Sequence, residues 1–281
     1  MNSNIKEHLI LEENKIDLEE LLISNFFSFS LDAHIPTKSR RTIEEIDEIG
    51  TPEIDDSYTP LGHGRAFRLV KQALVDTGSH ILREYHAVAR KGQRYMGLMP
   101  IVPQEPEMLY NTYFPVVGVR NSHDKQFAFE LLIAAGVQGV GNLLFTCKKA
   151  IGMRRHVNIN DTRLYESIHK SLSDLNNRLE KQEQRLKYYR EEEIESLVEV
   201  HHIIFELHKE GHVPKSLMPG VERAWRKPPH PLIEHFGNSI WKLLNCVLYA
   251  RREKDVFLQP ERNAKLASFF DGLAGGAADS A

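Results

Sequence analysis

The chain is poor in the features that would assign it quickly to a class. Its two cysteines, Cys147 and Cys246, stand far apart and make neither a disulfide framework nor a zinc site. The longest apolar runs, such as residues 131–135, fall far short of the roughly 20 residues that a membrane helix needs. No basic stretch leads into an apolar core near the N-terminus, so we expect no secretory signal. These absences predict a soluble, cytoplasmic protein without membrane contact.

Known catalytic signatures are missing as well. The sequence has no phosphate-loop motif, no dinucleotide fingerprint and no nucleophile elbow. His208 and His212 have the i, i+4 spacing of a metal pair, but Lys209 stands where a metalloprotease motif requires glutamate. We therefore expect no metal and no cofactor, and we favour a binding protein over an enzyme.

What the sequence does contain is an uneven distribution of charge. The net charge is −3 over 281 residues. Residues 1–60 hold fourteen Asp and Glu against five Lys and Arg, whereas residues 61–156 hold thirteen Lys and Arg against six acids. A solvated surface of uneven charge is one interpretation. The other is a basic core that binds a polyanion and carries an acidic segment able to fold back on it.

Hydrophobic periodicity predicts an α+β fold, with a helix–hairpin–strand core followed by an α-helical C-terminal half. Helical spacing of apolar residues begins at Ala66 and stops before Gly78. Apolar and aromatic flanks around Lys91-Gly92 predict a β-hairpin over residues 80–101. We divide the chain into an acidic mobile or loosely docked arm (1–60), an α+β core (61–158), a helical region (159–273) and a disordered tail (274–281).

Five further segments are harder to assign. Short helices are expected around residues 17–26 and 41–49. Residues 113–120 predict a strand, for which Pro115 indicates an edge position or a start just after the proline. Residues 126–136 fit a helix or a strand, and residues 137–145 favour a strand.

The helical region contains an apolar stripe with a three-four spacing that is broken only at Gln182. It follows the N-cap pair Asn160-Asp161. Such a stripe either faces the core of its own chain or pairs with another chain, as in a coiled coil. Its members are Leu164, Ile168, Leu172, Leu175, Leu179, Leu186 and Tyr189.

Six polar residues, called here the polar run (residues 120–125), come directly after an apolar strand. Arg120 can bind phosphate with its guanidinium fork and Lys125 as a point charge, while Asn121 and Ser122 offer hydrogen bonds. His123 beside Asp124 is a candidate general base, because a carboxylate raises the basicity of an imidazole. A polar turn that caps a following helix is the structural alternative.

More basic residues precede and follow the polar run, and we predict that they line one groove for nucleic acid. Tyr85, Tyr95 and Phe145 either offer stacking faces for bases or belong to the core. The predicted nucleic-acid-binding residues are Arg90, Lys91, Arg94, Arg120, Asn121, Ser122, Lys125, Lys148, Lys149, Arg154 and Arg155.

Several short motifs between residues 60 and 272 carry a family resemblance. They are Arg94-Tyr95-Met96-Gly97-Leu98-Met99, Gly118-Val119 with the polar run, Gly141-Asn142-Leu143, Arg154-Arg155-His156, Ala224-Trp225-Arg226 and Trp241-Lys242-Leu243-Leu244-Asn245. With these motifs the chain resembles the phage- and plasmid-borne family catalogued as domain of unknown function 932. It departs from that pattern at Val140-Gly141-Asn142, where the family opens with cysteine. The resemblance implies DNA transactions or conflict with host defences.

The order of helix, hairpin and strand, the basic middle and the long helices are also similar to the plan of phage single-strand annealing recombinases. The leading prediction is a mobile-element protein that holds the phosphate backbone of single-stranded DNA in a basic groove, as a homo-oligomer active in recombination. One alternative is an interaction protein that inhibits or modulates a host defence complex. Another is a hydrolase that uses His123 and Asp124, or a divalent metal.

Overall fold

The structure, a computed structural model, describes residues 35–53, 60–102, 113–137, 142–150, 161–235, 237–251 and 256–273. For residues 113, 137, 146–150, 161 and 232, the backbone alone is described. The helix predicted around residues 17–26, Arg154, Arg155 and the tail predicted at 274–281 lie outside the described residues. Within them, an antiparallel sheet precedes a C-terminal half made of helices. The predicted α+β class is confirmed.

The sheet has seven strands, and its main path runs in the order β1-β3-β4-β5-β6-β7 with all neighbours antiparallel. β2 pairs with Ile101 and Val102 of β4, beyond the residues of β4 that pair with β3. The strands are β1 Arg40–Arg41, β2 His80–Ile81, β3 Tyr85–Ala89, β4 Arg94–Val102, β5 Tyr113–Ser122, β6 Glu130–Val137 and β7 Leu143–Ala150. From β3 to β7 consecutive strands pair directly and antiparallel, so every second connection among them lies at the same end of the sheet.

The hairpin predicted over residues 80–101 is confirmed, with its turn at Arg90–Gln93. The strand predicted at residues 113–120 is confirmed too, but both alternatives drawn from Pro115 were wrong. β5 begins at Tyr113 rather than after the proline, and it lies between β4 and β6 rather than at an edge. In the described pairing, β4 reaches β5 as far as Val116, whereas Pro115 pairs with Ala135 of β6. Proline is tolerated at position 115 because the hydrogen-bonded pairing between β4 and β5 ends at Val116, one residue before Pro115. Residues 126–136, left open between helix and strand, contribute most of β6.

Nine α-helices are described. They are α1 Ile43–Asp47, α2 His63–Asp76, α3 Asp161–Leu172, α4 Leu175–Glu191, α5 Leu197–Lys209, α6 Met218–Arg226, α7 Pro231–Glu234, α8 Ile240–Arg251 and α9 Gln259–Leu273. α1 falls inside the helix expected over residues 41–49. Thr42 and Glu45 form a capping box at its start, which satisfies two backbone N–H groups that would otherwise lack partners.

The alternation of β5 sends its side chains into two different cores. Val117 and Val119 pack with Phe67 of α2 and with the first part of the apolar stripe. Phe114 and Val116 pack on the opposite face with Phe257. A third core joins the C-terminal helices to the sheet through residues of β6 and β7. Both faces of the sheet are therefore covered.

The apolar stripe is buried within the chain along its whole length, from Leu164 to Tyr189. The interpretation of a stripe that faces its own core is confirmed. Gln182, which interrupts the spacing, is buried with it. An annealing oligomer would have to use a different surface.

Candidate nucleic-acid interface

One end of the sheet gathers the predicted basic residues. The turn between β3 and β4 carries Arg90 and Lys91, and the loop between β5 and β6 carries Lys125. The two connections touch, since the His123 N–H donates to the Gln93 carbonyl at 2.7 Å. We call this the basic end.

The last strand contributes to the same end. Ala150, the last residue of β7, pairs with Glu130, which in turn pairs with Arg120. Lys148 and Lys149 therefore lie in the part of β7 nearest the basic end, although their side chains are not described. From β4 to β7, three strand spacings give a width of about 14 Å. Arg154 and Arg155 follow β7 in the chain but lie outside the described residues.

Arg90, Lys91 and Lys125 are exposed and share an unusual backbone conformation. In the described part of the chain, these three are the non-glycine residues with positive φ, at 53°, 55° and 60°. Side chains disfavour this left-handed region, and such residues store about 1–3 kcal/mol of strain each. Strain of this kind concentrates at functional sites.

The loop that presents Lys125 is held in shape by its own side chains. The Ser122 hydroxyl donates to the Phe127 carbonyl at 2.9 Å and accepts the Phe127 N–H at 3.2 Å. Asp124 accepts the Gln126 N–H at 3.2 Å and the Arg94 Nε–H at 2.6 Å. Ser122 and Asp124 therefore shape the loop, and Arg94 is joined to a carboxylate.

Arg120 points inward, with 1 % of its surface exposed. Its guanidinium donates to Glu130 of β6, to both carboxylate oxygens of Glu261 in α9, and to the Phe257 carbonyl at 2.6 Å. It also lies over the Phe127 ring, 4.4 Å from the centroid. Arg120 thus fastens the C-terminal helix to the sheet.

The electrostatics of Arg120 agree with this internal role. Burial by itself lowers the pKa of Arg120, but the hydrogen bonds and charges of Glu261 and Glu130 outweigh burial and raise it. A buried guanidinium with two carboxylates keeps its charge because its partners replace water. The phosphate contact predicted for Arg120 stays a prediction, and it would require the guanidinium to leave these partners.

Beneath the basic end lies a stacked pair of imidazoles from His63 and His123. The ring centroids are 3.9 Å apart and the planes differ by 9°. His63 Nε2 lies 2.8 Å from the Gly92 carbonyl. A carbonyl only accepts, so Nε2 carries the proton and Nδ1 accepts the Asn121 amide at 3.0 Å.

His123 and Asn121 converge on one backbone oxygen. The Leu61 carbonyl accepts the Asn121 amide at 2.7 Å and the His123 Nε2–H at 3.0 Å. Burial lowers the pKa of His123, although the bond to Leu61 and the charge of Asp124 oppose this. Together the two imidazoles and Asn121 tie the start of α2 to the two loops of the basic end, and we call them the histidine pin.

A third histidine, His86, adjoins the pin through Tyr95. Tyr95 stacks on His63 with a centroid distance of 5.3 Å, and its hydroxyl lies 2.9 Å from His86 Nδ1. Burial raises the pKa of Tyr95 well above its ordinary value, and burial lowers the pKa of His86 against the opposing charge of Glu84. These rings are part of the core, as are Tyr85 and Phe145, so the core interpretation of the three aromatic residues is confirmed.

The catalytic candidates His123 and Asp124 are adjacent in the sequence, but their described hydrogen bonds go to different partners. His123 Nε2 is committed to the Leu61 carbonyl inside the protein, and Asp124 is held by Arg94. A general base at His123 would have to give up a buried hydrogen bond. The hydrolase alternative gains no support from this geometry.

Sequence reasoning missed several partners of the polar run. Leu61, Gly92 and Phe257 take part through backbone carbonyls, which no residue pattern reveals. Glu261 stands in an ordinary helical segment, 141 positions from Arg120. His63 was the detectable one, because a histidine at the start of an apolar helix is a candidate for a buried hydrogen bond.

Two kinds of feature are not found among the described residues. No group of three or more histidine, cysteine, aspartate and glutamate side chains there is suited to hold a metal ion. His208 contacts the Val213 carbonyl, and His212 contacts Glu210. No helix in the same residues is long and apolar enough to cross a bilayer.

Comparison with protein-family models, curated proteins and solved structures finds no match to this chain. The family resemblance therefore stays a prediction. Residues of the resemblance motifs do contact one another in the structure. Asn142 donates to Asn245 at 3.0 Å, and residues 94–96 pair with residues 120–122.

Proposed function

We propose that the chain binds nucleic acid by its phosphate backbone at the basic end of the sheet, with single-stranded DNA as the first substrate to test. The observation that carries the proposal is the placement of Arg90, Lys91 and Lys125. They are exposed and cationic, they lie on two connections that touch each other, and each stands in a backbone conformation that favours other residue types.

The turn at Lys91 illustrates why this placement supports binding. Gln93 N–H bonds to the Arg90 carbonyl, so Lys91 and Gly92 are the central residues of the turn, both with positive φ. A type I′ turn has this property and prefers Asn-Gly. A lysine in place of asparagine lowers the stability of the turn and adds a positive charge at its tip. Selection for binding explains a residue that selection for stability would replace.

An annealing role extends the same proposal. Contacts to phosphates leave the bases available for pairing, and they make affinity steeply dependent on salt. The mobile-element source, the function in recombination and the homo-oligomer that annealing requires are parts of this proposal. The described apolar stripe is used inside the chain, so self-association needs another surface.

The test is fluorescence anisotropy of a labelled single-stranded oligonucleotide over a range of salt concentrations, with duplex DNA and RNA as comparison substrates. Lys91→Asn and Lys125→Asn are each expected to weaken binding. Each should also reduce the salt slope by about 0.7 for a lost phosphate contact on a single strand. Lys187→Gln is the matched control, because Lys187 lies on α4 with 64 % of its side chain exposed. It should leave affinity and slope unchanged.

Two results would contradict the proposal. One is the absence of binding to every nucleic acid at low salt. The other is an equal effect of the control and the two test variants, which would mean that net charge rather than the basic end governs binding. Recovery of a stoichiometric protein partner without nucleic acid would instead favour the interaction-protein alternative.

A further inference from the structure

An acidic segment, residues 42–53, is docked beside the basic end. It contains Glu44, Glu45, Asp47, Glu48 and Glu53, and no lysine or arginine. All five acidic side chains are exposed. An acidic segment beside exposed cations lowers the affinity of that surface for anions.

The docking is specific rather than a diffuse attraction. Ile46 is buried in the core that α1 shares with α2. Ile49 packs over the turn that carries Lys91, where its Cγ2 lies 3.0 Å from the position that a Cβ on Gly92 would occupy. Apolar contacts therefore place the acidic side chains, and the segment reaches the turn itself.

Asp47 of the acidic segment contacts a basic side chain of α2. Its carboxylate forms an ion pair with Arg68, one turn into α2. Its Oδ1 also lies so close to the first turn of α2 that a Cβ on Gly64 would overlap it. That turn has no acidic residue of its own, and its N-cap, Gly62, has no side-chain cap. A carboxylate there interacts favourably with the helix dipole and with Arg68.

The Asp47–Arg68 pair is also easy to open. The two side chains are 43 % and 53 % exposed, and ion pairs of this exposure contribute little to folding. An incoming phosphate offers Arg68 the same kind of partner as Asp47 does, with more oxygens. Because Asp47 is tethered to the surface that it covers, it competes as an intramolecular ligand.

We propose that the acidic segment is an internal competitor of nucleic acid, in which the Asp47 carboxylate occupies Arg68 and the first turn of α2 until a phosphate displaces it. This inference rests on the proposed function and adds regulation to the same surface. It also adds Arg68 to the set of phosphate-binding residues.

The experiment compares single-stranded DNA binding by the full chain, by Asp47→Asn and by Glu53→Gln, again by anisotropy over a range of salt. Asp47→Asn frees Arg68 and should bind roughly fivefold more tightly, the effect of one exposed ion pair. Its salt slope should match that of the wild type, because Arg68 contacts a phosphate in both complexes once Asp47 has been displaced. Glu53→Gln removes the same charge from the same segment without freeing Arg68 and should tighten binding less.

Repeating the Asp47 comparison in an Arg68→Ala background separates release of Arg68 from a general change of charge. There, Asp47→Asn should no longer tighten binding. If wild type binds but Asp47→Asn matches Glu53→Gln, the competitor inference is overturned and the proposed function stands. If an equal gain persists without Arg68, the inference is likewise overturned. If neither wild type nor Asp47→Asn binds any nucleic acid, both proposals fall.

Discussion

The inner and outer parts of one polar surface behave differently. Arg120, Asn121 and His123 are buried and hydrogen-bonded to their own chain. Lys91 and Lys125, on the two connections of the basic end, are exposed on strained backbone. The inner residues position the two loops, and the outer residues point from those loops into solvent. A cluster of polar residues is thus divided by burial into a scaffold and the exposed surface for which we propose binding.

This difference has a direct experimental meaning. Loss of an inner residue should lower the free energy of unfolding, whereas loss of an outer residue should lower affinity for nucleic acid and leave stability equal or higher. The four predictions below test that division, beginning with the largest expected change.

Arg120→Ala should lower the free energy of unfolding by about 3–5 kcal/mol, because it leaves the buried Glu130 without its counter-charge. Urea denaturation measures the change. Arg94→Ala is the matched control, since Arg94 forms a more exposed ion pair with Asp124 and should cost about 1 kcal/mol or less. A stable Arg120→Ala protein that has lost only its affinity would place Arg120 among the outer residues.

Acid should destabilise the protein through the histidine pin. Burial lowers the pKa of His123, so the unfolded chain takes up the proton first as the pH falls below about 6.5. The stability that the neutral ring provides is complete above that pH and is lost as the pH falls through the pKa of the folded state. Denaturation midpoints between pH 7.5 and 5 measure this loss.

The matched variants for the pH experiment are His123→Gln and His202→Gln. His123→Gln should flatten the dependence by up to about 1.4 kcal/mol per pH unit, the value for one proton. His202 is exposed on α5, and its replacement should leave the slope as in wild type. Equal slopes for all three proteins would mean that the stacked pair does not control acid stability.

Lys91→Asn and Lys125→Asn should raise stability, by a fraction of the roughly 1–3 kcal/mol that a strained residue stores. Asparagine tolerates positive φ better than lysine does. Thermal unfolding measures the gain, which should accompany the loss of affinity described above. If both variants are less stable than wild type, the lysines serve the fold and belong with the inner residues.

Asp47→Asn should change the free energy of unfolding least, by about 1 kcal/mol or less, since its ion pair is half exposed. The same denaturation experiment provides the number. A large loss would mean that the acidic segment is an integral part of the fold rather than a displaceable competitor.

The periodicity of the sequence was sufficient for the α+β class, the β3–β4 hairpin and the intramolecular helices, because apolar spacing and turn residues are local signals. The prediction drawn from Pro115 was wrong because a proline within a strand usually indicates an edge. Whether the missing N–H of Pro115 costs a hydrogen bond depends instead on where the pairing with β4 ends. Residues 126–136 stayed open because a strand buried on both faces has no alternation to read.

At the site, residue types indicated that the polar run was important but not which side of the surface each residue faced. Arg120 and Lys125 look equally suited to phosphate in the sequence. Their difference arises from Glu261 and Phe257, whose approach depends on how α9 returns to the sheet. No local pattern contains that information.

The large sequence separation between Arg120 and its partners also affects how the chain folds during translation. Its partners Phe257 and Glu261 follow it by 137 and 141 positions. While the strands are emerging, the guanidinium has Glu130 as its nearby carboxylate, and its remaining donors face water. The two faces of the sheet are thus completed at different times, and the second closes only after α9 has been translated. Chaperones would meet this protein as a half-covered sheet in which the Arg120 guanidinium still lacks its partners on the second face.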